Sequence, residues 1–400
     1  MPEAVIVAGA RTPFGKFGGA LRPLSAVELG GLAIAKAVKR AAIDPAEADE
    51  VIMGGVLTAG LGQIPARQAA RLAGIPASVP ALHVNKVCSS SLKAVTLAAQ
   101  AIRAGDADVV IAGGMESMSN APYLAPSMRW GARMNDAPFK DAMVLDGLWC
   151  PENDVHMAVI GGSVAVESAI GRAQQDAWAL RSQERWAAAE AAGWFNAERF
   201  PIEVTGARGA VAVVESDEAP RPETTAEALG KLKPLFIADG TVTAGNAPGT
   251  NDGAAALVIM SRRRADQLGC PVLAAIKGYA QASAEARYIS TVPGLAIRAL
   301  ADKTGLDLSH LDRLEINEAF AAVPLVSGLK VLGLSESELD AKVNVNGGAV
   351  AVGHPIGATG ARIVLTLAHQ LRRDGLATGV AAICSGMAQG DAIWLQAEAP

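Results

Sequence analysis

Apolar runs alternate with amphipathic segments along most of the chain. Runs of three to seven residues predict buried strands at Val5–Ala8, Val51–Met53, Val109–Ala112, Ala254–Met260, Val272–Ile276, Leu314–Ile316, Val343–Val345 and Val380–Ile383. Helical patterns run from a Ser25/Glu28 capping box to about Ala42, from Ser89 to Arg103, from Gln175 to Ala192, and up to Arg373. Because strands and helices alternate in this way, the sequence predicts layered α/β architecture.

The alternation stops between residues 120 and 250. This region holds five of the six Trp residues and 10 of the 16 aromatic residues of the chain. We interpret it as an inserted lobe with its own small core, seated on the first α/β unit, because the chain afterwards returns to the apolar run Ala254–Met260. The alternative is an extended region of surface loops.

Two segments of the chain are similar to each other. Val84–Cys88 and Val345–His354 each precede a helix, a glycine, and a strand that ends in Gly-Met. If the halves are duplicated, Cys88 and His354 lie at matching positions near two helix N-termini. Chance similarity between two β-α units is the alternative.

Composition and charge exclude several classes of protein. The 400 residues are 50% hydrophobic and 19% charged, with a net charge of −5, which is not typical of a disordered chain. The net negative charge gives no overall positive potential that would attract a nucleic acid, so we expect no nucleic-acid partner. We expect no membrane partner either, because the longest uncharged stretch, 343–361, is rich in Gly, Asn and Pro. The four Cys residues lack metal or redox spacing, so we expect a reducing cytoplasmic location and no metal.

Cys88 is the first candidate for chemistry. Motifs for dinucleotide binding, phosphate loops, zinc hydrolysis and serine hydrolysis are absent from the sequence. Cys88 lies at a predicted helix start, where free N–H groups and the helix dipole favour a thiolate with a lowered pKa. Lys86 and Lys93 add positive charge nearby. A buried structural cysteine is the alternative at this position.

Three further groups lie at loop or strand ends. His354 stands between Gly353 and Pro355, so the backbone on both sides is restricted. Cys384 and Asn317 each follow an apolar strand, and ligands of α/β sheets bind at the carboxyl ends of strands. Together with Cys88 these residues form a constellation that is more specific than any one of them. Each alone could be a structural residue.

The sequence resembles the thiolase family over essentially its whole length. The matching segments, in order, include VIVAGARTPFGKFGG, NKVCSSSLKA, AGGMESMSNAPY, DGTVTAGNAPGTNDGAAAL, EINEAFA, NVNGGAVAVGHPIGATGARI and CSGMAQGDA. The resemblance implies two similar βαβαβαββ halves in five αβαβα layers, with a loop domain inserted in the first half. The domains would be 1–119 plus 251–272, 120–250, and 273–400. It also implies a homotetramer built from dimers.

The resemblance assigns roles to the constellation. Cys88 would be the nucleophile that is acylated by an acyl-CoA, with His354 as the base for its thiol. The backbone amides of Cys88 and Gly386 would bind the tetrahedral oxyanion. Cys384 would remove the α-proton of a second acyl-CoA, and His354 with a water held by Asn317 would stabilise the enolate. No metal or permanently bound cofactor is implied; coenzyme A is substrate and product.

Coenzyme A would reach the site through the inserted lobe. The positions that match family contacts with coenzyme A are Leu148, His156, Met157, Arg221, Phe236, Ala244 and Gly249. Among these, Arg221 would meet the nucleotide phosphates.

The chain departs from the family pattern at several positions, which we expect to line the acyl pocket and the coenzyme A tunnel. The departures are Ser91, Gly162, Pro248, the Ile289–Pro293 segment and the Met387-Ala388 pair.

Four functions are compatible with these features. The first is a biosynthetic-type thiolase that joins two acetyl-CoA into acetoacetyl-CoA and catalyses the reverse thiolysis. The second is a 3-ketoacyl-CoA thiolase of broader chain length in fatty acid β-oxidation. A decarboxylating ketosynthase is disfavoured by Asn317 and Cys384, and a non-catalytic scaffold by the presence of every catalytic residue.

Overall fold

The computed structural model of the chain describes residues 1–206 and 209–398. Nine strands form the main sheet: β1 (Ala4–Arg11), β2 (Glu50–Gly54), β3 (Ala81–Val84), β4 (Val109–Ser117), β5 (Asn251–Ser261), β6 (Ala274–Ser283), β7 (Arg313–Ile316), β8 (Thr378–Ser385) and β9 (Gln389–Gln396). A short strand, Gly15–Lys16, pairs with β5. The predicted strands other than Val343–Val345 correspond to these elements, although β6 begins at Ala274, two residues after the predicted start at Val272.

Helices flank and separate the strands. They are α1 (Ala26–Ala41), α2 (Pro65–Leu72), α3 (Ser90–Ala104), α4 (Met157–Glu167), α5 (Arg172–Ala191), α6 (Ala226–Gly230), α7 (Arg262–Leu268), α8 (Val292–Thr304), α9 (Ala322–Leu325), α10 (Glu336–Lys342), α11 (Ala349–Val352) and α12 (Thr359–Arg373). The predicted Ser25/Glu28 capping box opens α1 with both hydrogen bonds present. No helix in the described part of the chain is long and apolar enough to cross a bilayer.

The two halves of the sheet share the order of four strands. The first half has the order β1-β5-β4-β2-β3, the second half repeats its first four positions as β6-β9-β8-β7, and β1 pairs with β6 between them. Within each half the pairs β2/β4 and β7/β8 are parallel, whereas β4/β5 and β8/β9 are antiparallel. The internal similarity in the sequence therefore corresponds to a repeated β-α unit.

The predicted strand Val343–Val345 is wrong. Only Val343 pairs with Leu314, as a single parallel bridge. Asn344 has a φ of +46°, which turns the chain away from the sheet. The Asn344 side-chain amide then takes the place of a neighbouring strand, because it accepts the Ile316 N–H and donates to the Ile316 carbonyl, each at 2.8 Å.

Helices α3 and α12 form the central layer. Leu92 and Ala98 of α3 share one buried apolar cluster with Ile363 and Leu367 of α12. A Cβ atom at Gly360 would come within 2.5 Å of the Leu92 backbone nitrogen, so only glycine permits this close approach. The packing brings together the N-terminal ends of the two helices, which is where the candidate catalytic residues were predicted.

The inserted lobe does not have an independent core. Its buried residues Met157, Ile160 and Trp178 belong to the same apolar cluster as Val292 and Phe320 of the second half. The expectation that the lobe has its own core on the first unit is therefore wrong. Its helices α4 and α5 pack against α9 and α11 of the second half. A smaller cluster around Trp186 and Phe195 joins the lobe to Phe14 and Val352.

Candidate active site

A cavity of about 230 Å³ lies where α3, the loop before α12 and the inserted lobe meet. Cys88, His354 and Gly386 line its inner wall. Most of the remaining lining is apolar, and among the predicted coenzyme A contacts it includes Leu148, His156, Met157, Phe236 and Gly249. Such a lining can bury a thioester and exclude bulk water from it.

Cys88 is buried just before the first turn of α3. Burial, together with the charge of Glu116, raises the pKa of its thiol to about 12. The backbone N–H groups of Cys88 and Gly386 contact the sulfur and oppose this shift. The expectation of a lowered pKa is therefore wrong, because the loss of solvation outweighs the helix terminus. Lys86 does not supply free positive charge, since its ammonium group pairs with Asp391 at 2.6 Å.

His354 is held by hydrogen bonds on both sides. Its backbone N–H donates to Asn251 Oδ1 at 2.9 Å, and its Nδ1 lies 2.7 Å from Thr359 Oγ1. The Thr359 hydroxyl donates to the Pro355 carbonyl at 2.9 Å, so it accepts from Nδ1–H. Burial lowers the His354 pKa to about 3, which keeps the ring neutral. Nε2 is left with a lone pair and has no partner among the described residues, so it can accept a proton.

Cys384 and Asn317 are buried, each two residues before a residue that lines the cavity, Gly386 and Ala319 respectively. Cys384 is fully buried at the end of β8, and its pKa is well above the usual value because of burial and the neighbouring Cys88. The charge of Cys88 therefore acts on the Cys384 thiol across the buried interior. Asn317 follows β7 and is 1% exposed, and neither polar atom of its amide has a partner in the described chain. A buried amide with this free capacity can hold a water molecule.

Arg221 and Ala244 lie outside the cavity. Both are exposed, and the Arg221 guanidinium donates to the Ala244 carbonyl at 3.3 Å. The structure therefore places the predicted phosphate contact on the surface of the lobe. His156, in contrast, lines the cavity, where its ring stacks on that of Phe236 with centroids 4.0 Å apart.

The departures from the family pattern divide into two groups. Pro248 and Ile289 line the cavity, as expected. The expectation is wrong for Ser91, for Gly162, for residues 290–293 and for the Met387-Ala388 pair, which lie outside the lining. Ser91 is directed towards α12, where its hydroxyl accepts the Ala361 N–H at 2.9 Å.

Sequence reasoning missed Glu116, which is buried beside Cys88. Its carboxylate accepts the N–H groups of Val56, Leu57 and Gly357 at 2.9–3.1 Å, so it joins loops from both halves. Burial raises the Glu116 pKa to about 7. An acid in the otherwise apolar strand β4 was the available signal.

Glu318 directly follows Asn317 at the end of β7. Its buried carboxylate accepts hydrogen bonds from Trp178 and Ser182 of α5 and from Asn344 and Val350 of the second half, at 2.8–3.0 Å. It therefore connects the inserted lobe to the segment that leads to His354.

Comparisons with known proteins define the class. The family described as "Thiolase, N-terminal domain" matches residues 4–263, and "Thiolase, C-terminal domain" matches residues 270–397. The chain belongs to the thiolase family. This confirms the resemblance and the duplicated α/β fold predicted from the sequence.

Two similar proteins and one solved structure carry the name acetyl-CoA acetyltransferase. The chain is 48% identical over 395 residues to the acetyl-CoA acetyltransferase of Pseudomonas aeruginosa, with 99% of each chain covered. Its identity to the acetyl-CoA acetyltransferase of Cupriavidus necator is 47% over 393 residues, covering 98% of this chain and 99% of the relative. The crystal structure of the Bacillus anthracis acetyl-CoA acetyltransferase superposes with a TM-score of 0.96 at 40% identity, covering 100% of this chain and 99% of that one.

Proposed function

We propose that the protein is an acyltransferase that condenses two acetyl-CoA molecules to acetoacetyl-CoA and catalyses the reverse thiolysis. The observation that carries this proposal is the meeting of Cys88, His354 and Gly386 on one apolar cavity. The charge of Cys88 also acts on the buried Cys384 thiol. A nucleophile, a neutral base and fixed amide donors are the groups that acyl transfer from a thioester requires. The names of the relatives support acetyl-CoA as the acyl donor.

The first half-reaction acylates Cys88. Its thiol proton passes to His354 Nε2 as the sulfur attacks the thioester carbonyl carbon. The resulting oxyanion is bound by the amides of Cys88 and Gly386, which already contact the Cys88 sulfur. The C–S bond to coenzyme A then breaks. Because Cys384 is a thiol at rest, it gives its proton to the leaving sulfur and becomes a thiolate beside the protonated His354.

The second half-reaction forms the carbon–carbon bond. The Cys384 thiolate removes an α-proton from a second acetyl-CoA, and the protonated His354 with a water on Asn317 stabilises the enolate oxygen. The enolate carbon attacks the acetyl carbonyl on Cys88, and the Cys88 sulfur leaves and recovers its proton from His354. Both cysteines and the histidine return to their first state.

Coenzyme A is substrate and product in this scheme. The chain of proton transfers is redox-neutral and uses only protein groups, so the proposal includes no metal or permanently bound cofactor. Dialysis against a chelator should leave the rate unchanged, and a loss restored by a metal ion would contradict this part of the proposal.

Steady-state assays test the proposed function. Acetoacetyl-CoA plus coenzyme A should lose the absorbance of the 3-oxoacyl enolate, and Cys88→Ala should abolish this loss. Retained activity in Cys88→Ala would refute the mechanism. A series of 3-oxoacyl-CoA chain lengths separates this function from the broader 3-ketoacyl-CoA thiolase: the highest kcat/KM should fall at four carbons.

We also propose that the protein is a cytoplasmic homotetramer, built as a dimer of dimers. Its support is a set of exposed large apolar side chains in the first part of the lobe, at Tyr123, Met128, Trp130, Met134 and Phe139. Burial of such a patch between subunits would remove it from water. Light scattering should give four chains for the protein and fewer for a variant with Trp130→Ser and Phe139→Ser. A monomeric wild type would contradict the proposal.

A further inference from the structure

Strained backbone flanks both amides that contact the Cys88 sulfur. Val87, directly before Cys88, has a φ of +45°, and Met387 and Ala388, directly after Gly386, have φ values of +61° and +46°. A β-branched residue in this region is a genuine outlier. Backbone of this kind persists only where surrounding contacts hold it in place.

Lys86 is one of the residues through which the second half holds the nucleophile segment. Its ammonium group pairs with Asp391 Oδ2 at 2.6 Å, in a contact where the two side chains are 13% and 3% exposed. The same group donates to Gln281 Oε1 at 2.9 Å. The backbone carbonyl of Lys86 accepts a hydrogen bond from the Ser385 hydroxyl. A side chain and a backbone carbonyl of one residue are thus both bound to the opposite half.

The partners of Lys86 lie on either side of the strained turn. Ser385 pairs with Gln389 at the end of the β8/β9 ladder, so residues 386–388 form the tight turn between them. Ser385 directly precedes Gly386, and Asp391 lies in β9 shortly after the turn. Fixing Lys86 against both strands therefore fixes the Cys88 amide relative to the Gly386 amide.

We propose that Lys86, Ser385 and Asp391 are positioning residues that align the two amides on one oxyanion. The inference rests on the proposed function, because it concerns the oxyanion of that reaction. Removal of one oxyanion donor typically lowers kcat by about 100- to 1000-fold, and misalignment of a donor should cost a part of this. The donors act in the transition state and not in binding, so KM should change little.

Three variants remove the alignment in different ways. Lys86→Met breaks the ion pair, the double variant Lys86→Met/Asp391→Asn removes both charges, and Ser385→Ala removes only the hydroxyl group. Each should lower kcat for acetoacetyl-CoA thiolysis by about tenfold or more, with KM within about twofold of wild type. Lys86→Arg keeps the positive charge and should retain most of the rate. Lys277→Met, which breaks the surface pair with Glu3, is the matched control and should be unchanged.

Single-turnover acetylation of Cys88 separates the possible outcomes. If the wild type is not acetylated, the proposed function fails and not only the alignment. If the wild type is acetylated and Ser385→Ala and the double variant react at its rate, the alignment is refuted. A lower kcat that is accompanied by a comparable change in KM, and that Lys86→Arg does not rescue, would indicate a merely structural role. This result would also refute the alignment. Should Lys86→Met fail to fold, the smaller change Ser385→Ala decides between these results.

Discussion

Thr359 Oγ1 lies 2.7 Å from His354 Nδ1 and donates its own proton to the Pro355 carbonyl. A hydroxyl group has one proton, so this arrangement makes Thr359 the acceptor of the histidine N–H. The tautomer of His354 is thereby set, with the free lone pair on Nε2 at the cavity wall. The first residue of α12 thus determines which nitrogen of the base faces the substrate.

Thr359→Val should lower kcat by about tenfold, because a base that is no longer held in one tautomer loses part of its contribution. The shape of the side chain is kept, so KM should stay near its wild-type value. Thr96→Val is the matched control: Thr96 is a buried helix threonine whose hydroxyl bonds only to Leu92 of its own helix. Equal rates for Thr359→Val and wild type would contradict the assigned tautomer.

The pKa of Cys88 predicts how the free enzyme reacts with iodoacetamide. With this pKa raised to about 12 and the His354 pKa lowered to about 3, the resting pair is a thiol and a neutral imidazole. Below the thiol pKa, the thiolate fraction grows about tenfold for each pH unit. The rate of alkylation at Cys88 should therefore rise steadily from pH 7 to pH 9. A plateau that begins below pH 8 would indicate a resting thiolate–imidazolium pair instead.

Glu116 predicts a dependence of stability on pH. Its pKa is raised from 4.5 to about 7 in the folded chain, so between these values the folded state holds a proton that the unfolded state has lost. Its contribution to stability is therefore fully present below pH 4.5 and is lost as the pH rises to 7, by about 3 kcal/mol at most. Urea unfolding at pH 5 and pH 8 should show a larger loss for wild type than for Glu116→Gln. Equal losses would show that Glu116 ionises normally.

Ser182 predicts how much the lobe depends on its contact with Glu318. The Ser182 hydroxyl donates to Glu318 at 2.8 Å and accepts the Gly348 N–H at 3.0 Å. Ser182→Ala leaves both buried groups short of a partner and should lower the free energy of unfolding by about 1–3 kcal/mol. Ser163→Ala, which removes an exposed hydroxyl bonded within α4, should have little effect. If the two variants are equally stable, Glu318 does not hold the lobe in place.

The strands and helices were predictable where the sequence pattern alone determines them. The capping box at Ser25 and the apolar run Ala254–Met260 both lie in the predicted elements. The predicted strand at Val343–Val345 failed because one side chain, Asn344, replaces the backbone partner of Ile316. Such a replacement depends on a positive φ that hydrophobicity does not reveal.

The site was predictable in its residues but not in its electrostatics. Cys88 and His354 were identified from their motifs, and in the structure they line the same cavity. The sign of the Cys88 pKa shift depends on how deeply the sulfur is buried, and a sequence does not show this. The acid at Glu116 stands out in the apolar strand β4, but its role could not be predicted, because its three amide partners come from residues 56, 57 and 357.

Mass spectrometry of the protein after brief exposure to acetyl-CoA tests the central assignment most directly. The account predicts one acetyl group on Cys88 in the wild type and none in Cys88→Ala. Cys384→Ala should still carry the acetyl group, formed more slowly, and should fail to condense it with a second acetyl-CoA. An acetyl group on Cys384, or one that persists in Cys88→Ala, would contradict the account.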